Sequence, residues 1–123
     1  MGLDMFAKVR NAEIEADVDF EWEENDEELH YWRKHPDLHG WMEELYRDKG
    51  GTDDMFNCAK VKLTLEDLDD LEECIRSNKL PHTEGFFFGK SNWEEHTDDD
   101  LRFVEKARQA INAGQTVYYT SWW

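Results

Sequence analysis

Ten carboxylates fall within residues 13–28, with no lysine or arginine among them, and this stretch carries the chain's most distinctive chemistry. From Glu13 to Glu23 every odd position is acidic and every even position apolar. Successive side chains of a strand point to opposite faces. The pattern therefore predicts a strand with Ile14, Ala16, Val18, Phe20 and Trp22 inward and Glu13, Glu15, Asp17, Asp19, Glu21 and Glu23 outward. Carboxylates on alternate strand residues repeat about every 6.6 Å, close to the phosphate repeat along a nucleic-acid strand. A row of like charge opposes compaction unless something uses it. Glu15, Asp17, Asp19, Glu21, Glu23, Asp26, Glu27 and Glu28 are accordingly the expected partner-binding residues, presenting a basic protein with an imitation of nucleic acid.

Other reactive side chains make weaker constellations. His30, His35 and His39, with Glu43 one turn on, have spacings that could offer imidazoles and a carboxylate to a metal, but they straddle Pro36 and no HExxH or Cys/His quartet completes the set. Cys58 faces away from its strand's apolar residues beside Lys60 and Lys62, a setting that favours a reactive thiol, whereas Cys74 sits on an apolar helix stripe. Gly85 to Ser91 resembles a phosphate loop, yet three bulky aromatics stand where four residues should cradle phosphates, so a buried strand is the better reading. Asp98, Asp99 and Asp100 are expected at a helix N-terminus, where the dipole accounts for them. No metal or cofactor is expected, and no enzyme. A small enzyme using Cys58 or the three histidines is the alternative, as is a self-assembling protein whose C-terminal strand pairs with a second copy.

Composition narrows the classes. The 123 residues suit one domain with a single core. With 30 Asp and Glu against 14 Lys and Arg, a formal charge of −16 disfavours direct contact with a phosphate backbone. Six Trp and a 39% hydrophobic content are too much apolar material for a disordered acidic tail. Neither a membrane span nor a signal peptide is predicted, and two cysteines without CxxC spacing fit a reducing compartment, so a cytoplasmic location is expected.

The elements that must position these groups can be read in order. Leu3, Met5, Ala7 and Val9 alternate, and a turn at Asn11-Ala12 would fold residues 2–10 onto 13–23 as a hairpin, pairing Val9 with Ile14 and Ala7 with Ala16. Asn25 begins a predicted helix that ends before Pro36, where a second helix runs on toward Arg47 with Leu38, Trp41, Met42 and Leu45 inward. Residues 56–63 alternate as a strand. Thr64 and Asp67 open a helix carrying Leu65, Leu68, Leu71, Cys74 and Ile75. A strand at 85–89, a helix capped by Thr97 and ended by Gly114, and a strand from Val117 to Trp122 complete the chain. The expected fold is a single α+β domain with a largely antiparallel sheet, helices on one face and the order β-β-α-α-β-α-β-α-β.

Met1-Gly2-Leu3-Asp4-Met5, Tyr31-Trp32-Arg33-Lys34 with His39 and Trp41, Gly85-Phe86-Phe87-Phe88-Gly89 and Tyr118-Tyr119-Thr120-Ser121-Trp122 occur in that order. Together they resemble a family of small proteins common in tailed bacteriophages and prophages, with an MGLDM start, YWRK, GFFFG and a terminal YYxSxW. The resemblance spans nearly the whole chain and implies an accessory product acting in an infected bacterial cell; it implies no chemistry. The segment between the opening and YWRK is shorter here than in the family and has become the acidic stretch. Joined to that stretch, the resemblance points to an inhibitor of a basic host protein, one that itself handles nucleic acid.

Overall fold

A computed structural model describes residues 2–83 and 91–123; the expected strand at 85–89 and all of the loop-like motif but Ser91 lie outside the described residues. The alternating segment at the N-terminus forms β1 (Asp4–Arg10), whose Met5, Ala7 and Val9 are buried. It is a central strand. β2 (Glu27–Arg33) pairs with one of its edges and β4 (Thr116–Trp122) with the other, both antiparallel, and β3 (Lys60–Leu63) pairs antiparallel with the outer edge of β4. The sheet order is β2-β1-β4-β3, with Met5 opposite both Trp32 and Ser121.

Three helices cover one face of this sheet. α1 (Pro36–Asp48) begins at its proline, as expected where the missing N–H has no intrahelical partner to lose. α2 (Leu65–Arg76) has the reciprocal cap predicted for Thr64 and Asp67: the Asp67 amide donates to Thr64 Oγ1 at 3.2 Å and the Thr64 amide to Asp67 Oδ2 at 2.9 Å. α3 (Trp93–Asn112) gives way to Gly114 in the left-handed region, φ 89°. Leu38, Met42 and Tyr46 of α1, Leu68, Leu71 and Ile75 of α2, and Phe103, Val104 and Ala107 of α3 join Met5, Ala7, Trp32, Val61, Leu63, Val117 and Tyr119 of the sheet in one core. Each Leu, Val, Ile, Met or Phe of this set contributes roughly 1.5–3 kcal/mol by leaving water. The domain is small, α+β and antiparallel, with the order β-β-α-β-α-α-β.

Two N-terminal elements differ from expectation. Residues 13–23 are not a strand and do not pair with β1, because β2 and β4 already occupy both of its edges. Among the described residues their only ladder contact is Val18 to Val61, with the Asp19 amide donating to Lys60 O at 3.1 Å and the Lys62 amide to Asp17 O at 2.9 Å. Asp19 then takes φ 56°, which breaks the extended run. Ile14 is buried and Val18 and Phe20 half-buried, while Ala16 and Trp22 are exposed. The helix expected after Asn25 is instead β2: His30 and Trp32 are buried while Tyr31 and Arg33 are exposed, a period of two that a helix would scatter around its circumference. Backbone pairing with β1 and burial of Trp32 outweigh the helix-start signals in Asp26-Glu27-Glu28. α3 also begins a turn earlier than expected, capped by Asn92, whose side chain accepts from the Glu94 amide at 3.0 Å, so Asp98, Asp99 and Asp100 lie inside the helix.

Candidate functional site

The acidic segment is a strap across the sheet face that the helices leave open. That face displays Phe6, Lys8 and Arg10 of β1, Tyr118, Thr120 and Trp122 of β4, and Lys60 and Lys62 of β3, the residues alternating with the buried set. After β1 the chain runs to the outer edge of β3, where Lys62 Nζ donates to Ile14 O at 2.8 Å and lies 3.4 Å from the Asp17 carboxylate. Asp19 meets the Tyr46 hydroxyl at 2.6 Å, fastening the strap to α1. From there it returns over the sheet, with the Phe20 ring edge-on to Tyr118 at 5.1 Å.

Arg10 closes the strap. Its Nε and Nη2 donate to the two oxygens of Asp26 at 2.7 and 2.9 Å, Nη2 also donates to Glu21 O at 2.9 Å, and Nη1 pairs with Glu23 at 2.9 Å. Tyr118 donates its hydroxyl to the same Asp26 at 2.6 Å, and the Glu23 amide adds a fourth donor at 3.0 Å. The Asp26 side chain is 2% exposed. Its hydrogen bonds to Arg10 hold the carboxyl at about 2, against an ordinary 3.8, while burial and the bond to Asp26 push the Tyr118 hydroxyl well above its usual range. Arg10 and Lys8 are the only arginine and lysine in the first 30 residues, a sequence signal for this clamp that the strand pattern masks.

The eight expected partner-binding acids thus divide. Asp26 is inside the clamp, Glu23 and Asp17 are paired with Arg10 and Lys62, and Asp19 is bound to Tyr46. Glu15, Glu21, Glu27 and Glu28 are exposed and, with Glu13 and Glu24, form no ion pair among the described residues. Residues 13–28, the strap and the first two residues of β2, carry ten acids and the open face supplies four bases, Lys8, Arg10, Lys60 and Lys62, so a surplus of about six negative charges faces solvent.

The histidines do not converge. His30 Nε2 lies 2.9 Å from Asp99, His39 Nδ1 lies 2.7 Å from the Tyr119 hydroxyl, and His35 stands between Ser91 and Asp100. Among the described residues no group of three or more His, Cys, Asp or Glu is placed to hold a metal ion. Burial lowers His39 to about 4. The His35 contacts form a chain that sequence spacing does not reveal: Ser91 Oγ to His35 Nδ1 at 2.6 Å, His35 Nε2 to Asp100 Oδ2 at 2.7 Å, and Trp32 Nε1 donating to Asp100 Oδ1 at 3.0 Å. Ser91 Oγ also accepts the Asp37 amide at 3.0 Å, serving as an external cap for α1. Cys58 is exposed with its thiol toward Asn57, and Cys74 is half-buried, with burial pushing its thiol up. Trp123 donates its indole N–H to Phe56 O at 3.2 Å, and the exposed tryptophans around the strap are Trp22 and Trp122.

No helix among the described residues is long and apolar enough to cross a membrane. Comparison of the chain with protein-family models, with curated proteins and with solved structures returned no match.

Proposed function

We propose that this chain is a phage accessory protein that acts by binding, its acidic strap docking onto a basic, nucleic-acid-handling protein of the host cytoplasm and inhibiting it. The observation that supports this reading is the surplus on the strap and the start of β2: Glu13, Glu15, Glu21, Glu24, Glu27 and Glu28 are exposed and unpaired among the described residues, although four basic side chains lie on the open face. Cohesion of the strap accounts for the acids that meet Arg10 and Lys62 and leaves these six unexplained. Without a strand the regular phosphate-like repeat is lost, so the mimicry rests on charge density rather than on spacing. Glu15, Glu21, Glu24, Glu27 and Glu28 changed together to Gln should abolish capture of the host partner while leaving thermal unfolding intact, and duplex DNA should compete for that partner with the unmodified protein. A partner retained by the fivefold variant at high salt would overturn the reading.

The Ser91–His35–Asp100 chain favours a second reading, acyl transfer. A hydroxyl hydrogen-bonded to an imidazole that a buried carboxylate orients is the arrangement of an activated nucleophile, and the N-terminus of α1 beside it favours developing negative charge. Covalent labelling by a fluorophosphonate, lost in Ser91→Ala, would establish this reading. Absence of labelling leaves the chain as the joint between α1 and α3.

A further inference from the structure

The strap does not cover the open face evenly. Between its Trp22-to-Asp26 portion and the sheet lies a groove of about 600 Å³, the size range of small-molecule sites, with walls from Phe6, Trp22, Tyr118 and Trp122. Trp22 and Trp122 are 63% and 67% exposed, the two highest values among the large hydrophobic side chains of the described residues. Two lysines stand in the same groove. Lys60 Nζ donates to Cys58 O at 3.0 Å, and Lys8 Nζ sits 5.7 Å from the centre of the Phe6 ring with no carboxylate partner among the described residues. In a chain with 30 acids, a lysine left without one beside exposed indoles needs an explanation. Of the acids on the groove, Asp26 is saturated by Arg10, Tyr118 and the Glu23 amide, which leaves Glu24 on the rim as the unneutralised one.

We propose that this groove binds a planar aromatic anion no larger than a mononucleotide, its ring stacked on the exposed indoles and its anionic group held by Lys8 and Lys60. Indole faces take planar rings by stacking, and an anion supplies the opposite charge that neither ammonium group finds in a carboxylate among the described residues. A cationic ligand would meet both lysines. A polyanion would extend past the groove onto Glu24 and the exposed strap acids, so the surroundings select a small ligand. The site is independent of the acidic-surface reading, since none of the six unpaired strap acids except Glu24 lines it.

The test uses the intact chain and two fluorescent probes, the aromatic sulfonate 8-anilinonaphthalene-1-sulfonate and the uncharged N-phenyl-1-naphthylamine. The sulfonate should bind saturably at one site and the uncharged probe at least tenfold more weakly. Lys8→Gln with Lys60→Gln should weaken the sulfonate at least tenfold and leave the uncharged probe unchanged, Trp122→Ala should weaken both, and Met55→Ala, an exposed side chain elsewhere, should weaken neither. Circular dichroism and thermal melts of each variant identify any that fail to fold, and Lys8→Gln alone, which breaks no hydrogen bond among the described residues, then carries the charge test. No saturable sulfonate binding, equal affinity for the two probes, or affinity unchanged in the lysine variants would overturn the proposal.

Discussion

The two faces of the sheet are built by different physics. Toward the helices, Met5, Ala7, Trp32, Val61, Val117 and Tyr119 meet Leu38, Leu68, Leu71 and Phe103, and apolar burial holds the layers together. On the other face Arg10, Lys62 and Tyr118 meet the acidic strap, and ion pairs and charged hydrogen bonds hold it down. Screening by salt weakens the second kind of cohesion and not the first. A face assembled from charge can retain unmatched charge for a partner, whereas an apolar face must be filled by the chain's own residues.

The largest effect should come from the helix side. Phe103 is fully buried with its ring 4.7 Å from that of Trp32, and Phe103→Ala should cost about 3–5 kcal/mol in urea unfolding, equally at low and high salt. A strong salt dependence of that loss would show that the faces are not held differently.

Acid should reveal the two faces in separate windows. Burial lowers His39, on the helix side, from 6.5 to about 4, so the unfolded chain takes up a proton in this range before the folded one does. Its contribution is intact above pH 6.5 and is lost as pH falls to about 4, a decline of about 3 kcal/mol. His39→Gln should flatten that part of the profile. Asp26, on the strap side, is depressed from 3.8 to about 2; its contribution is present above 3.8 and disappears as pH falls through about 2, a loss of about 2 kcal/mol. Asp26→Asn should remove that lower step and leave the upper one.

The elements that sequence made legible are those whose own residues decide their state. α2 announces itself by a reciprocal cap and leucines at helical spacing, β4 by its aromatic and β-branched run, and the end of α3 by Gly114. The acidic segment obeys period two as fully as any strand, but a strand needs a free edge, and edge availability is a property of the whole sheet. β2 fails for the converse reason: its acidic start and basic end suit a helix dipole, and only the pairing with β1 selects the extended form. The candidate acids were visible as a cluster, while the division between clamped and free carboxylates depends on where Arg10 and Lys62 lie. Ser91 and Asp100 reach His35 across 56 and 65 residues, separations that no local pattern encodes.

The smallest effect concerns the unpaired acids. Glu21→Gln and Glu24→Gln remove repulsion without touching a hydrogen bond of either side chain, so stability should stay within about 0.5 kcal/mol or rise slightly. A marked loss on melting would place these side chains in contacts that hold the strap, contrary to the division drawn here.

Both the clamp and the groove depend on where the strap lies, and proton–proton proximity by NMR tests its position most directly. Cross-peaks between the Phe20 and Tyr118 rings, and between the backbones of Val18 and Val61, are the predicted result. Cross-peaks joining Ala7 to Ala16 and Val9 to Ile14 would instead show the hairpin that alternation suggests, and would contradict the strap.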